Sequence, residues 1–155
     1  MNFDLSEEQQ FLKDSVERSL ARIYDFEKRS AIIKQESGWS RNIWAQLAEL
    51  GLLGLPFSEE DGGFGNGPVE TMIVMEAFGR SLVVEPYLST VVLAGAVLRH
   101  GASASMRASL VAQIAQGDIA IAWAHEEAGS RWNLSHVGTR AVKSNDDFRV
   151  TGEKC

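Results

Sequence analysis

Near Gly117 the chain changes period. Upstream, apolar residues recur every three or four positions, the spacing of a helix face; downstream they alternate, the spacing of a strand. That break predicts a mainly α protein. An N-terminal helical bundle of about six helices, residues 1–117, is followed by the first strands of an incomplete β domain, residues 118–155.

The helical signals come with their own punctuation. Ser6 followed by Gln9 is a capping box, and Phe11, Leu12, Val16, Leu20 and Ile23 behind it make one stripe. A second, short helix is expected over 26–35. Ser40 caps a third, with Ile43, Trp44, Leu47 and Leu50 facing inward and Gly51 as its stop. Pro68 opens a fourth, with Met72, Ile73 and Met75 as core candidates. Pro86 opens a fifth that runs through Leu98 to Gly101, and a sixth covers 106–115.

After Gly117 the text reads IAIAWA, then HVGTRAV, then FRVTG. Three strands are expected there, over 119–124, 136–142 and 148–152, with a hairpin turn at 145–147. A sheet that stops at FRVTGEKC leaves an open edge, so the chain reads as the front of something longer.

Composition excludes several functions. The net charge of −6 is spread along the chain with no basic cluster, which argues against nucleic-acid binding. The longest apolar run, 91–98, is too short to cross a bilayer, and MNFDLSEEQQ lacks the basic and apolar regions of a signal peptide. A soluble, cytoplasmic chain with no membrane partner is expected. Cys155 is the sole cysteine, and His100, His125 and His136 lack metal-ligand spacing, so no metal site is expected.

EEDGGFGNGP, residues 59–68, places four glycines within six positions. A phosphate-binding glycine loop follows a strand and opens a helix. Here a helix precedes the loop, Pro68 stands where the last glycine of G-x-G-x-x-G belongs, and no Lys-Ser or Lys-Thr follows. The flanks predict a tight connection between helices, its glycines supplying positive φ.

The order of motifs carries more. LSEEQQFLKDSVERSL is followed by WAQLAELGLLGLPFSEEDGGFGNGPVETMIVMEAFGRSL, then VEPYL, then EEAGS. This resembles the N-terminal part of acyl-CoA dehydrogenases, and within them most resembles the pimeloyl-CoA dehydrogenase small-subunit type. The resemblance covers essentially the whole chain. It implies an enzyme of three parts: helical domain, middle β domain and C-terminal helices. FAD lies between the last two and is shared with a neighbouring subunit of a homo- or hetero-oligomer. The implied reaction is α,β-oxidation of an acyl-CoA thioester to the enoyl-CoA, with a carboxylate base from the C-terminal domain. Neither that base nor the W-[IV]-[TS] segment after the G-x-K step falls within these residues, so this chain alone is expected to be inactive.

The family pattern T-E-P-x-A-G-S-D corresponds to AHEEAGSR, 124–131, where Ala128, Gly129 and Ser130 match. The resemblance implies that Gly129 lets backbone approach the flavin and that Ser130 offers a hydroxyl to the flavin or to the substrate thioester. The plainer reading is a turn that needs small residues. Ala124, His125, Glu126 and Arg131 depart from the pattern, which fits an alternative function: a non-catalytic subunit or assembly module that packs on a dehydrogenase partner. Trp123 and Trp132 flank the turn and are expected in core or interface. Glu76 is expected to pair with Arg80 at i,i+4, with a place beside an acyl tunnel as the competing reading.

Overall fold

A computed structural model describes residues 4–145 and 147–155. They form two compact units, Met1–Ile121 and Ala122–Cys155.

Six α-helices build the first unit: α1 Glu7–Ile23, α2 Phe26–Ile32, α3 Arg41–Glu49, α4 Pro68–Ser81, α5 Gly95–Gly101 and α6 Ala104–Ala115. Each start has a local cause. The Ser6 hydroxyl accepts from the Gln9 N–H while the Gln9 side chain accepts from the Ser6 N–H, so the capping box is closed. Asp25, Ser40 and Ser103 cap α2, α3 and α6 in the same sense. Pro68 stands at the first position of α4, where its missing N–H costs nothing.

Packing selects part of each predicted stripe. Val16 and Leu20 of α1, Trp44 and Leu47 of α3, and Val74 and Phe78 of α4 meet in one core with Phe57, Val111 and other buried apolar residues. Phe11 is 70% exposed and Met72 54% exposed, so the inward arcs of α1 and α4 are narrower than the sequence stripes. α1 lies against α4, and Arg80 joins them by pairing with Glu17 at 3.0 Å and with Glu76 at 2.5 Å. The i,i+4 pair expected of Glu76 is therefore present.

The predicted fifth helix is wound in two ways. Leu88–Ala94 is π-helical and continues into α5. Where the winding changes, the Phe57 ring closes on Gly95, whose hypothetical Cβ would sit 2.9 Å from it. Fully buried Thr90 uses its hydroxyl twice, donating to the Ile121 carbonyl and accepting from the Ile121 N–H, each at 3.0 Å.

The second unit contains one antiparallel hairpin, β1 Arg140–Ser144 with β2 Asp147–Thr151, in which Ala141 faces Val150 and Lys143 faces Phe148. Asn145 turns it with φ 56°, and Asp146 of the expected turn lies outside the described residues. The expected strand over 119–124 does not form, because strands need a ladder partner. The Ile121 backbone bonds the Thr90 hydroxyl instead. The second strand starts at Arg140 rather than His136 because the Gly138 and Thr139 N–H groups go to the Glu127 carboxylate.

Candidate functional site

The glycine loop resolves as structure. Gly62 and Gly65 have φ of 92° and 67°, and a Cβ on Gly63 would stand 2.3 Å from the Phe57 carbonyl oxygen. Both uses exclude a side chain. The α4 N-terminus already has an anion: the Glu70 carboxylate accepts from the Gly67 N–H at 2.9 Å and from the Gln9 amide at 2.8 Å. These donors hold the Glu70 carboxyl below its ordinary pKa. At the loop's other side, Asp61 accepts from Arg107 of α6 at 2.6 Å and from the Ser58 hydroxyl at 2.7 Å, which fixes the connection to the bundle.

The turn carrying Gly129 and Ser130 is built around Glu127. The Glu127 side chain is 10% exposed and accepts from four donors: the Gly138 N–H at 2.6 Å, the Thr139 N–H at 2.9 Å, the Thr139 hydroxyl at 2.8 Å and the Lys154 ammonium at 2.8 Å. Lys154 first, then Thr139 and Gly138, push its carboxyl far below the usual carboxylate range. Lys154 also donates to the His125 carbonyl at 3.1 Å, and the Cys155 N–H donates to the Glu126 carbonyl at 2.9 Å. Gly152 allows this closure, since a Cβ there would stand 2.2 Å from the Thr139 hydroxyl. The segment 125–127 is thereby held to both 138–139 and 152–155.

From that base the backbone turns sharply. The Ser130 N–H donates to the Glu127 carbonyl at 2.9 Å, and the Asn133 N–H donates to the Ser130 carbonyl at 2.9 Å. Arg131 and Trp132 follow with φ of 45° and 71°, a left-handed pair rare for side chains of their size. The Ser130 hydroxyl makes no hydrogen bond among the described residues. It lines a shallow recess of about 280 Å³ together with Ala128, Arg131, Trp132 and Cys155. Gly129 is exposed, and a Cβ would come no closer than 3.7 Å to His136, so packing within this unit does not require glycine there.

Trp123 and Trp132 are not core residues of this unit: they are 43% and 89% exposed. The Trp123 ring stacks at a tilt on His125, centroids 4.6 Å apart. Sequence reasoning missed Glu127, Thr139 and Lys154. The available signal was the G-x-K step, read above only as a prelude to the flavin-touching segment, whereas Gly152 and Lys154 both clamp the turn. Among the described residues no cluster of His, Cys, Asp or Glu is placed to hold a metal, and no helix is long and apolar enough to cross a membrane.

Residues 6–118 match the family model described as "Acyl-CoA dehydrogenase, N-terminal domain". The chain is 25% identical over 162 residues to the probable acyl-CoA dehydrogenase YngJ of Bacillus subtilis, a match covering 100% of this chain and 41% of that protein. Among solved structures it is similar to the ChsE4–ChsE5 complex of Mycobacterium tuberculosis, with 29% identity and a TM-score of 0.83 over 98% of this chain and 40% of that one. A variant of the Tcur3481–Tcur3483 steroid ACAD gives 27% identity and a TM-score of 0.85 over 96% of this chain and 40% of that one. The chain thus spans about two fifths of the length of the proteins it matches. A bundle of this order and a family match over most of its length place the chain in the acyl-CoA dehydrogenase family, whose N-terminal domain it carries.

Proposed function

We propose that these residues are the N-terminal part of an FAD-dependent acyl-CoA dehydrogenase, which oxidises the α,β bond of an acyl-CoA thioester to give the enoyl-CoA. The observation that carries this reading is the Ala128–Ser130 turn. Its Ala128 and Gly129 are exposed and its Ser130 half-buried; it is anchored by Glu127 and carries a hydroxyl with no partner of its own among the described residues.

Bound FAD would supply the hydride acceptor. What the chain contributes is position. Gly129 lets a planar group approach the backbone without meeting a side chain, and Ser130 offers an O–H to the flavin or to the thioester end of the substrate. Trp132 presents an indole at the edge of the same recess. Glu127 does not serve as the base, since its four donors hold it as a carboxylate of very low basicity. By its resemblance to the family, the base that removes the α-proton belongs to the C-terminal domain of the complete enzyme, and this chain alone is expected to be inactive.

A second reading has its own support: a non-catalytic subunit or assembly module on a dehydrogenase partner. The hairpin exposes Val142, Phe148 and Val150, each by more than 60%, beside altered positions in the T-E-P stretch. ChsE4–ChsE5, a complex by its description, is the precedent for a homo- or hetero-oligomer. In both readings the partner molecules are acyl-CoA and other subunits rather than nucleic acid or membrane, and the place of action is the cytoplasm.

The test is anaerobic addition of acyl-CoA to the protein expressed from its own gene, alone and together with its candidate partner subunit. Bleaching of a flavin band supports the dehydrogenase reading. Flavin that stays oxidised with the protein alone but bleaches in the complex supports the subunit reading. Colourless, inactive protein in both preparations contradicts each.

A further inference from the structure

One cation of the bundle is fastened in place and then left without a counter-charge. Arg99, in the last turn of α5, donates from Nη1 to the Pro56 carbonyl at 3.2 Å, the single hydrogen bond of its side chain among the described residues. Other guanidiniums of the same unit meet carboxylates: Arg80 pairs with Glu17 and Glu76, and Arg107 with Asp61. A basic residue at the end of a helix often serves that helix's own last carbonyls. Arg99 instead reaches a carbonyl 43 residues away, in the segment that leads into the glycine loop. A guanidinium carries five N–H donors in a planar fork, so four remain, among them the adjacent pair on Nε and Nη2 that matches a carboxylate. Arg99 is exposed, so this edge is open to a molecule arriving from solvent.

Arg99 and Pro56 line a recess of about 360 Å³ on which separate parts of the chain converge: the exit of the glycine loop with Asn66, the start of α4 with Pro68, and the π-helical turn with Val92. Pro56, Pro68 and Val92 supply apolar surface beside the one charge. Small-molecule pockets combine those two ingredients and run from about 300 Å³ upward. The acidic group at the start of α4 is already engaged: Glu70 accepts from the Gly67 N–H and the Gln9 amide, and it makes no ion pair with Arg99. A phosphate at that helix end would meet the Glu70 charge, and one guanidinium balances only one negative charge. The arrangement therefore suits a monoanion with a planar head and an apolar body.

We propose that this recess binds a small organic carboxylate, its two oxygens on the Nε–Nη2 edge of Arg99 and its apolar part against Pro56, Pro68 and Val92. The Pro56 carbonyl holds the fork before the ligand arrives, which lowers the entropy lost when the pair forms.

The experiment titrates the protein expressed from its own gene with butyrate, 1-butanol and monobutyl phosphate, which carry similar apolar bodies and differ in the head group. Each probe is followed by saturation-transfer NMR at neutral pH and low salt, where screening of the charge is weak. Arg99→Gln and Arg99→Lys are titrated alongside, with circular dichroism as the check on folding. Saturable binding of butyrate is expected, at least about tenfold weaker in Arg99→Gln and at least about threefold weaker in Arg99→Lys, which keeps the charge and loses the fork. No saturation with butyrate, a butyrate affinity unchanged in either variant, or equal or tighter binding of 1-butanol or monobutyl phosphate overturns the proposal. If Arg99→Gln fails to fold, Arg99→Lys decides. Flavin content and turnover do not enter this readout, so failure here leaves the dehydrogenase reading standing, and failure of that reading leaves the Arg99 site untouched.

Discussion

Lys154 sets its ammonium 2.8 Å from the Glu127 carboxylate, and with that contact ties the last described residues to the turn that presents Ser130. Thr139 and Gly138 add three more donors. The folded-state pKa of Glu127 is depressed, so its stabilisation is fully present above the ordinary glutamate value of about 4.3 and is lost as pH falls towards the folded value. The Gly138 and Thr139 amides are expected to stay protected from hydrogen exchange at pH 5 and to lose protection in stronger acid. Glu127→Gln should expose them at both. A carboxyl resonance of Glu127 titrating in the ordinary range would refute the clasp.

Gly129 and Gly152 separate function from packing. A Cβ on Gly152 meets Thr139 at 2.2 Å, so Gly152→Ala should unseat the hairpin and broaden its resonances. A Cβ on Gly129 has its nearest neighbour at 3.7 Å, so Gly129→Ala should leave the spectrum of the isolated unit almost unchanged. Comparison of the two by amide fingerprint spectra tests whether the glycine of the turn is kept for something outside the unit.

Gly63→Ala should destabilise the helical unit by roughly 1–3 kcal/mol, because its Cβ meets the Phe57 carbonyl, which cannot swing away as a side chain would. Phe57→Ala should cost about 3–5 kcal/mol, since Phe57 is fully buried and its ring also abuts Gly95. Urea unfolding followed at the buried Trp44 measures both. A change below half a kcal/mol for either would show that the loop is not packed as described.

Thr90→Val keeps shape and removes the hydroxyl that serves both the N–H and the carbonyl of Ile121. A loss of about 1–3 kcal/mol is expected, mostly from the two backbone groups left unpaired. Exchange of the Ile121 amide should quicken far more than exchange in α1.

Much of the helical unit was legible because its signals are local. Ser6 and Gln9, Ser40 and Pro68 each act within one turn of chain, and each starts a helix where the pattern says it does. The glycine loop was legible for the same reason, through its flanks. Burial was less so: Phe11 and Met72 sit in apolar stripes, but which arc faces inward depends on the neighbouring helices. The π-helical winding at Leu88–Ala94 had no local sign, and the packing of Phe57 on Gly95 beside it joins positions far apart in the chain. The tail misled for a related reason. Alternation at 119–124 and 136–139 is strand-like, but those backbone groups bond to the Thr90 hydroxyl and the Glu127 carboxylate, and neither contact can be read from spacing. The turn at Gly129 and Ser130 was singled out through resemblance, while the Glu127 clasp beside it was not read from the sequence.

The most direct test is the flavin content of the protein expressed from its own gene together with a candidate partner subunit, measured by visible absorbance after desalting. The comparison is between the native sequence and Gly129→Val. The account predicts a retained flavin band in the first and a band reduced at least about fivefold in the second, with melting temperatures that agree. Equal flavin in both, or none in the native complex, would contradict the assignment of this turn to the cofactor.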